Sequence, residues 1–299
     1  MSTQPASAGL FDRVALIGIG LIGSSLARVL RRDSPGTTIV ACARRSETLD
    51  AVRRLDLADE IGDDPAAAVA GADLVVIATP LSAYAEIGRR IAPSLREGAI
   101  VTDVGSVKEV VIRDLQPLLP AHVHFVPGHP VAGTEHSGPE AGFAELFRDR
   151  WCILTPPQAT APHAVARITA LWEGAGMRVT TMAAEHHDKV LAMTSHLPHL
   201  IAYTIVSTAT DLEDSLKSEV IAFSAGGFRD FTRIAASDPV MWRDIFLANR
   251  EAVLEMLQRF SEDLTALQRA IRWGEADTLE DRFARTRAIR RSIIEAKQA

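Results

Sequence analysis

The segment Gly128-His129-Pro130-Val131-Ala132-Gly133-Thr134-Glu135-His136-Ser137-Gly138 sets imidazoles in a stretch punctuated by glycine and proline. Histidine is the side chain whose ordinary pKa lets it take or give a proton near neutral pH. The preceding run 122–126 reads as a buried strand, and Pro127-Gly128 is expected to end it, which leaves His129 in a loop at a strand end. In open α/β sheets such loops hold ligands. Alone, a histidine there is read as one that hydrogen-bonds its own loop. What lies upstream gives it a chemical context.

Val14-Ala15-Leu16-Ile17-Gly18-Ile19-Gly20-Leu21-Ile22-Gly23 is a strand running through Gly-x-Gly-x-x-Gly into a helix. Gly18 permits the tight turn, Gly20 lets backbone approach a pyrophosphate, and Gly23 allows close helix–strand packing. Leu21 and Ile22 open the helix whose N–H groups and dipole favour the anion. Thr79, just after the strand 74–78, is placed with these cofactor-binding residues. In NAD-binding versions of this fold a carboxylate at the end of the second strand holds the ribose hydroxyls. Here that point reads Ala41-Cys42-Ala43-Arg44-Arg45-Ser46. Arg44, Arg45 and Ser46 would give charge-assisted hydrogen bonds to a 2′-phosphate, so NADP is expected, with NAD the weaker alternative. The other reading, two solvated arginines opening a helix, stays open.

Ile100-Val101-Thr102-Asp103-Val104-Gly105-Ser106-Val107-Lys108-Glu109 is a further strand–turn–helix. Ser106 and Glu109 fit a capping box. A functional reading puts the Ser106 hydroxyl and the Lys108 ammonium near the nicotinamide end of the sheet edge. Downstream, Asp188 and His199 share one face if their helix is continuous, which Pro198 would disturb. His196-x-x-His199 has no acidic or cysteine partner to complete a metal set, so no metal is expected. Arg229 and Arg233 are one helical turn apart, and Asp230 could neutralise either.

Positioning these groups calls for a particular framework. Strand-like runs at 13–18, 38–42, 74–78, 99–102, 123–126, 151–154 and 177–181 alternate early on with helical patterns, as in a mostly parallel, doubly wound sheet. After Ala183 strand signals vanish, leaving helical runs at 185–211, 215–226, 239–273 and from 277 onward. Asp238-Pro239 marks a helix start. The expected fold is an α/β Rossmann-type sheet followed by an all-helical half. The domains are 1–182, binding NADP, and 183–299, binding substrate and dimerising. The helical half holds more apolar residues (Ile201, Ile205, Val206, Ile221 and Leu247 among them) than a solitary bundle would bury, so a homodimer is expected.

With 47% hydrophobic and 23% charged residues in 299, the composition is that of a globular protein with a real core. A net charge of −6 gives no footprint for nucleic acid. Cys42 and Cys152, both in apolar runs, read as buried free thiols in a reducing cytoplasm. No apolar run is expected to span a membrane.

The glycine signature, Asp103-Val104-Gly105-Ser106-Val107-Lys108, the His129–Gly138 segment, His187-Asp188-Lys189, Ser195-His196-Leu197-Pro198-His199 and Gly226-Gly227-Phe228-Arg229-Asp230-Phe231-Thr232-Arg233-Ile234-Ala235 occur in this order. Together they resemble the prephenate/arogenate dehydrogenase family of tyrosine biosynthesis, over residues 13–250. The resemblance implies a Rossmann domain followed by a helical dimerisation domain. It implies that His129 hydrogen-bonds the substrate's ring hydroxyl as the catalytic base and that Ser106 orients that histidine or the ligand. It also implies that His199 and Arg233 bind substrate carboxylates, with Lys108 counted among the substrate-binding residues. Hydride would leave the carbinol carbon for the nicotinamide, His129 would draw the hydroxyl proton, and loss of carbon dioxide would aromatise the ring. Prephenate and arogenate differ by a keto group against an ammonium, and both are carried as substrates. Neither a fused chorismate mutase nor an ACT module is expected. Competing readings are a β-hydroxyacid dehydrogenase using Lys189 or Lys217, and a catalytically silent NADP-binding dimer.

Overall fold

The structure, a computed structural model, describes residues 9–211, 219, 223 and 226–295. Strands β1 (Arg13–Ile17), β2 (Thr38–Cys42), β3 (Glu60–Gly62), β4 (Leu74–Ile77), β5 (Ile100–Asp103) and β6 (His124–Val126) form one sheet in the order β3-β2-β1-β4-β5-β6. Every pairing in it is parallel. Its central strands are apolar on both faces, as a sheet covered on both sides requires.

Because successive side chains alternate across a strand, each face collects its own core. Val14, Leu16, Ile39, Leu74, Val76 and Ile100 pack with Leu26, Val29 and Leu30 of α1 (Leu21–Asp33) and with Ile168 and Trp172 of α6 (Pro162–Gly174). Ala15, Ile17, Val40, Val75, Ile77 and Val101 pack on the opposite face. Their partners include Val69 of α3 (Pro65–Val69), Tyr84 and Ile91 of α4 (Tyr84–Ile91), and Val111 and Leu115 of α5 (Glu109–Leu115). Each fully buried aliphatic chain contributes about 1.5–3 kcal/mol. Helix α2 (Ser46–Arg54) follows β2.

Two strands differ from the sequence expectation. β3 is a short edge strand, half polar, whose exposed Glu60 pairs with Arg13. The other changes the setting of His129. Gly128–Pro130 is not loop but a strand, β7, antiparallel to β8 (Trp151–Leu154), with His129 opposite Ile153. β8 in turn runs parallel to β9 (Arg178–Thr181), so the runs 151–154 and 177–181 build a second sheet. Pro127 ends β6, yet its carbonyl accepts the N–H of Thr155 at 2.9 Å, and the chain goes straight into the new ladder.

Beyond β9 come α7 (Ala184–Leu191), a π-helical turn at Ala192–His196, α8 (Leu197–Thr210), α9 (Gly226–Thr232), α10 (Pro239–Ala248), α11 (Arg250–Trp273) and α12 (Ala276–Glu295). The expected run 185–211 is therefore interrupted by a π turn just ahead of Pro198. The expected run 239–273 breaks at Asn249, which leaves helical geometry with φ −103° and ψ 31°. Asp238 caps α10 by accepting the N–H groups of Val240 and Met241. Most of the expected run 215–226, with Lys217 and Ile221, lies outside the described residues.

The chain up to Arg250 forms one compact unit and the chain from Glu251 a second. Packing and periodicity thus divide the chain at different places. Within the first unit, Trp242 and Ile245 of α10 pack with Val107 and, less deeply, Leu81 and Val110 of the α/β half. Against expectation, one helical run among the described residues, Ala184–Thr210, is long and apolar enough to cross a membrane by length and composition. A core helix meets the same criterion, and this run buries His187, Asp188 and His196 in polar contacts, which a bilayer would penalise.

Candidate active site

The glycine turn is built around what it lacks. Gly18 has φ +100°, and a Cβ there would sit 2.5 Å from the Ala78 carbonyl oxygen and 2.9 Å from the Thr79 methyl. A Cβ on Gly23 would collide with the Gly18 carbonyl. A Cβ on Gly20 would meet nothing within 4 Å. Gly20 is the N-cap of α1 and offers no capping side chain, so the first-turn N–H groups of Leu21 and Ile22 are left for an anion at the positive end of the helix. This opening lies where the strand order reverses, between β1 and β4, the usual crevice for a dinucleotide. Thr79 is half-buried after β4, while Arg44, Arg45 and Ser46 are exposed after β2. The fit to a nicotinamide dinucleotide is good: Gly20 leaves the space and the helix supplies the donors.

The end of β5 is the opposite case, filled and satisfied. Asp103 and Lys108 are both fully buried, with Lys108 Nζ 2.5 Å from Asp103 Oδ2. Asp103 Oδ2 also accepts from the Gly105 N–H at 2.8 Å and the Tyr84 hydroxyl at 3.2 Å. The pair then grips the peptide before His129. Asp103 Oδ1 accepts the Gly128 N–H at 3.2 Å, and Lys108 Nζ donates to the Gly128 carbonyl at 2.7 Å. Burial lowers the Lys108 pKa, and the Asp103 carboxylate opposes that shift. Lys108 was expected to meet the substrate; its ammonium is instead enclosed, because a buried carboxylate needs a buried cation.

His129 is buried, and its Nδ1 lies 2.8 Å from His187 Nε2. His187 Nδ1 lies 2.7 Å from Asp188 Oδ1. The Asp188 carboxylate also accepts the backbone N–H groups of Lys108 at 2.8 Å and Glu109 at 2.9 Å. The second of these, the Glu109 N–H, is the donor that the Ser106 hydroxyl would have engaged in the expected Ser106–Glu109 capping box. A carboxylate from α7 caps α5 instead. Ser106 is half-buried in the turn between β5 and α5. Burial above all, and then His187, Lys108 and His196, hold His129 well below the usual histidine range, so it is neutral.

Further along, the Asn249 amide donates to the Asp188 carbonyl at 2.8 Å and to His196 Nδ1 at 3.0 Å. That places the His196 hydrogen on Nε2, which is buried without a hydrogen-bond partner. Burial presses the His196 pKa down to about 4. His199 Nδ1 donates to the Ser195 carbonyl at 2.8 Å, leaving Nε2 for a ligand. Its ring stacks on Trp242 at 3.5 Å between centroids. Burial lowers its pKa, and the Arg233 guanidinium is close enough to add to that effect. Arg233 is exposed and meets Glu135 of the His129 segment at 3.0 Å. Arg229 and Asp230 are both exposed, 3.7 Å apart. His136 is exposed, and Lys189 pairs with Glu185.

One neighbourhood therefore gathers Lys108, His129, His187, His196, His199 and Arg233. Sequence reasoning had named no role for Asp103, His187, Asp188 or Asn249. A signal existed for Asp103, an aspartate ending an apolar strand, since a buried charge must find partners. For Asn249 there was none.

Comparison with known proteins places this geometry. Residues 26–181 match the model of the prephenate dehydrogenase nucleotide-binding domain, and residues 183–285 match that of the prephenate dehydrogenase dimerization domain. The chain is 44% identical to the cyclohexadienyl dehydrogenase of Zymomonas mobilis over 284 residues, 95% of this chain and 97% of that protein. It is 35% identical to the prephenate dehydrogenase of Bacillus subtilis over 269 residues, 90% of this chain and 72% of that one. Among solved structures, the prephenate dehydrogenase of Aquifex aeolicus in complex with hydroxyphenyl propionate and NAD+ superimposes with a TM-score of 0.86 at 34% identity, over 95% of this chain and 98% of that one. Synechocystis arogenate dehydrogenase gives 0.78 at 27% identity, over 94% and 99%. A glycine turn open to a dinucleotide, a neutral buried histidine and both matched domains in sequence order make this chain a member of the prephenate dehydrogenase family.

Proposed function

We propose that this protein catalyses the NADP-dependent oxidative decarboxylation of prephenate, arogenate or both, giving 4-hydroxyphenylpyruvate or tyrosine. The observation that carries this reading is His129, a neutral buried imidazole held through Nδ1, which leaves Nε2 as the atom able to take a proton. Gly18, Gly20, Leu21, Ile22, Gly23 and Thr79 would hold the dinucleotide. When bound, its nicotinamide supplies the acceptor for the hydride of the carbinol carbon. His129 takes the hydroxyl proton and Ser106 helps to orient that end of the substrate. Loss of carbon dioxide aromatises the ring and makes the step effectively irreversible. Arg233 and the free Nε2 side of His199 receive the carboxylates, a role in which substrate displaces Glu135 from Arg233.

The NADP preference rests on Arg44, Arg45 and Ser46 and on the absence of a carboxylate at Ala43. The nearby Asp64 is committed elsewhere, capping α3 and pairing with Arg90 at 2.9 Å. A homodimer is supported by the matched dimerization domain and by exposed Leu254, Leu264, Ile271, Trp273, Phe283 and Ile289 on α11 and α12. Cytoplasmic placement is supported by two buried free thiols. Catalytic efficiency measured with both substrates and both cofactors, from absorbance of the reduced nicotinamide, tests the reading. Turnover highest with NADP is expected. Absence of turnover in all four combinations overturns the activity, and a preference for NAD overturns the cofactor assignment.

A further inference from the structure

Nothing in the reaction itself demands a second histidine behind the base, yet one is there. We propose that His187 and Asp188 are positioning residues for His129: they hold it in the Nδ1–H form and receive the positive charge after it accepts a proton. The proton-transfer part of this rests on His129 being the base, whereas the tautomer part stands on the hydrogen-bond geometry and on His187 being neutral in its buried setting.

The hydrogen positions follow in order from Asp188. Its carboxylate only accepts, taking the Lys108 N–H at 2.8 Å and His187 Nδ1 at 2.7 Å on Oδ1, and the Glu109 N–H at 2.9 Å on Oδ2. His187 Nδ1 therefore carries a hydrogen. Burial favours the neutral form of His187, so its Nε2 is a bare lone pair. His129 Nδ1 stands 2.8 Å from that lone pair and must donate to it. The remaining ring nitrogen of His129, Nε2, is then bare. Asp188 and His187 thus fix which atom of His129 can act as a base, as the aspartate does for the histidine of a hydrolase triad.

The same chain gives the arriving charge somewhere to go. The substrate O–H bond breaks as an N–H bond forms at His129 Nε2. The His129 Nδ1–H bond breaks as an N–H bond forms at His187 Nε2, and His187 keeps its Nδ1 hydrogen on Asp188. His129 ends neutral with its tautomer inverted, and His187 ends as an imidazolium against a carboxylate. The surroundings favour that direction. His129 is faced by Lys108 from the turn before α5 and His196 from the π turn, and neither favours charge on it, while the Cys152 thiol of β8 meets only the His129 backbone. Lys108 disfavours charge on His187 too, but there the Asp188 and Asp103 carboxylates oppose it.

The test uses the full chain labelled with 15N-histidine, without substrate, and reads the ring-nitrogen shifts of His129. Protonated Nδ1 and bare Nε2 are expected; the reverse tautomer overturns the proposal. The second measurement is Asp188→Asn, in which one acceptor oxygen remains to cap α5. Its kcat should fall about tenfold to a hundredfold with KM within about twofold. The acid limb of kcat/KM should move to lower pH, because loss of the anion disfavours the protonated relay. An unmoved limb with a uniform fall at every pH marks a merely structural role and overturns the relay. If the variant does not fold, the wild-type tautomer decides. Absence of turnover in the wild type would remove the dehydrogenase reading and leave the tautomer result intact.

Discussion

The glycine turn follows β1, the His129 cluster is anchored at the end of β5 two strands along the same parallel sheet, and the two are built by opposite means. The turn works through missing side chains: beyond its chain neighbours, nothing lies within 4 Å of where a Gly20 Cβ would be, and the first donors of α1 have no side-chain cap. The cluster works through full occupancy: Asp103 accepts four hydrogen bonds, and Asp188 accepts three through its carboxylate. In the proposed reaction the first receives a dinucleotide and releases it, so it stays open. The second, in the same proposal, holds one imidazole in one orientation through every turnover. Buried polar networks do that when each member is satisfied.

This contrast predicts that the two regions fail separately. His129→Asn should lower kcat/KM by about a hundredfold to ten-thousandfold, the range for losing a positioned general base. Cofactor affinity, read by fluorescence titration, should stay within about twofold. A comparable loss in both would mean that the regions are one unit, and the contrast would break.

Lys108→Met sharpens the division inside the cluster. It leaves the Asp103 carboxylate buried without its cation, which costs about 3–5 kcal/mol of stability in urea unfolding. A lysine whose task is to bind substrate would instead raise KM with little change in stability. Lys108 also depresses the His129 pKa. Without the cation the base protonates more readily, so the acid limb of kcat/KM in the surviving folded enzyme should move to higher pH. This shift is opposite in sign to the one expected of Asp188→Asn.

How far each region was legible follows from how it is encoded. The glycine turn is a local code, since three glycines at fixed spacing after a strand fix the backbone, and the turn from Gly18 to Gly23 was readable directly. The six-stranded parallel sheet was readable for the same reason, apart from β3, whose three residues carry no apolar run. The cluster is a non-local code. Asp188 caps a helix whose first residues lie far away in the chain, and no spacing within either segment announces it. The capping box at Ser106 and Glu109 looked locally complete, but a tertiary contact took the Glu109 N–H. β7 was hidden because Gly-His-Pro has the composition of a loop, and only the facing strand β8 makes it a ladder. Enclosure of Lys108 was equally invisible, because a lysine beside a turn is exposed by default.

The glycine turn itself separates two kinds of necessity. At Gly18 both the positive φ and the Ala78 carbonyl oppose any Cβ, so Gly18→Ala should disturb the fold along with the binding. At Gly20 the protein alone opposes nothing. Gly20→Ala should therefore leave the thermal midpoint within about two degrees of wild type, or raise it by restricting the unfolded chain. Its methyl group would occupy the space the diphosphate needs, so cofactor affinity should fall by about tenfold, on the order of 1.4 kcal/mol. Glycine at position 20 would then be retained for the ligand and not for the chain. A Gly20→Ala variant that unfolds readily, or one that binds cofactor as wild type does, would show that the opening beside α1 is not where the dinucleotide lies.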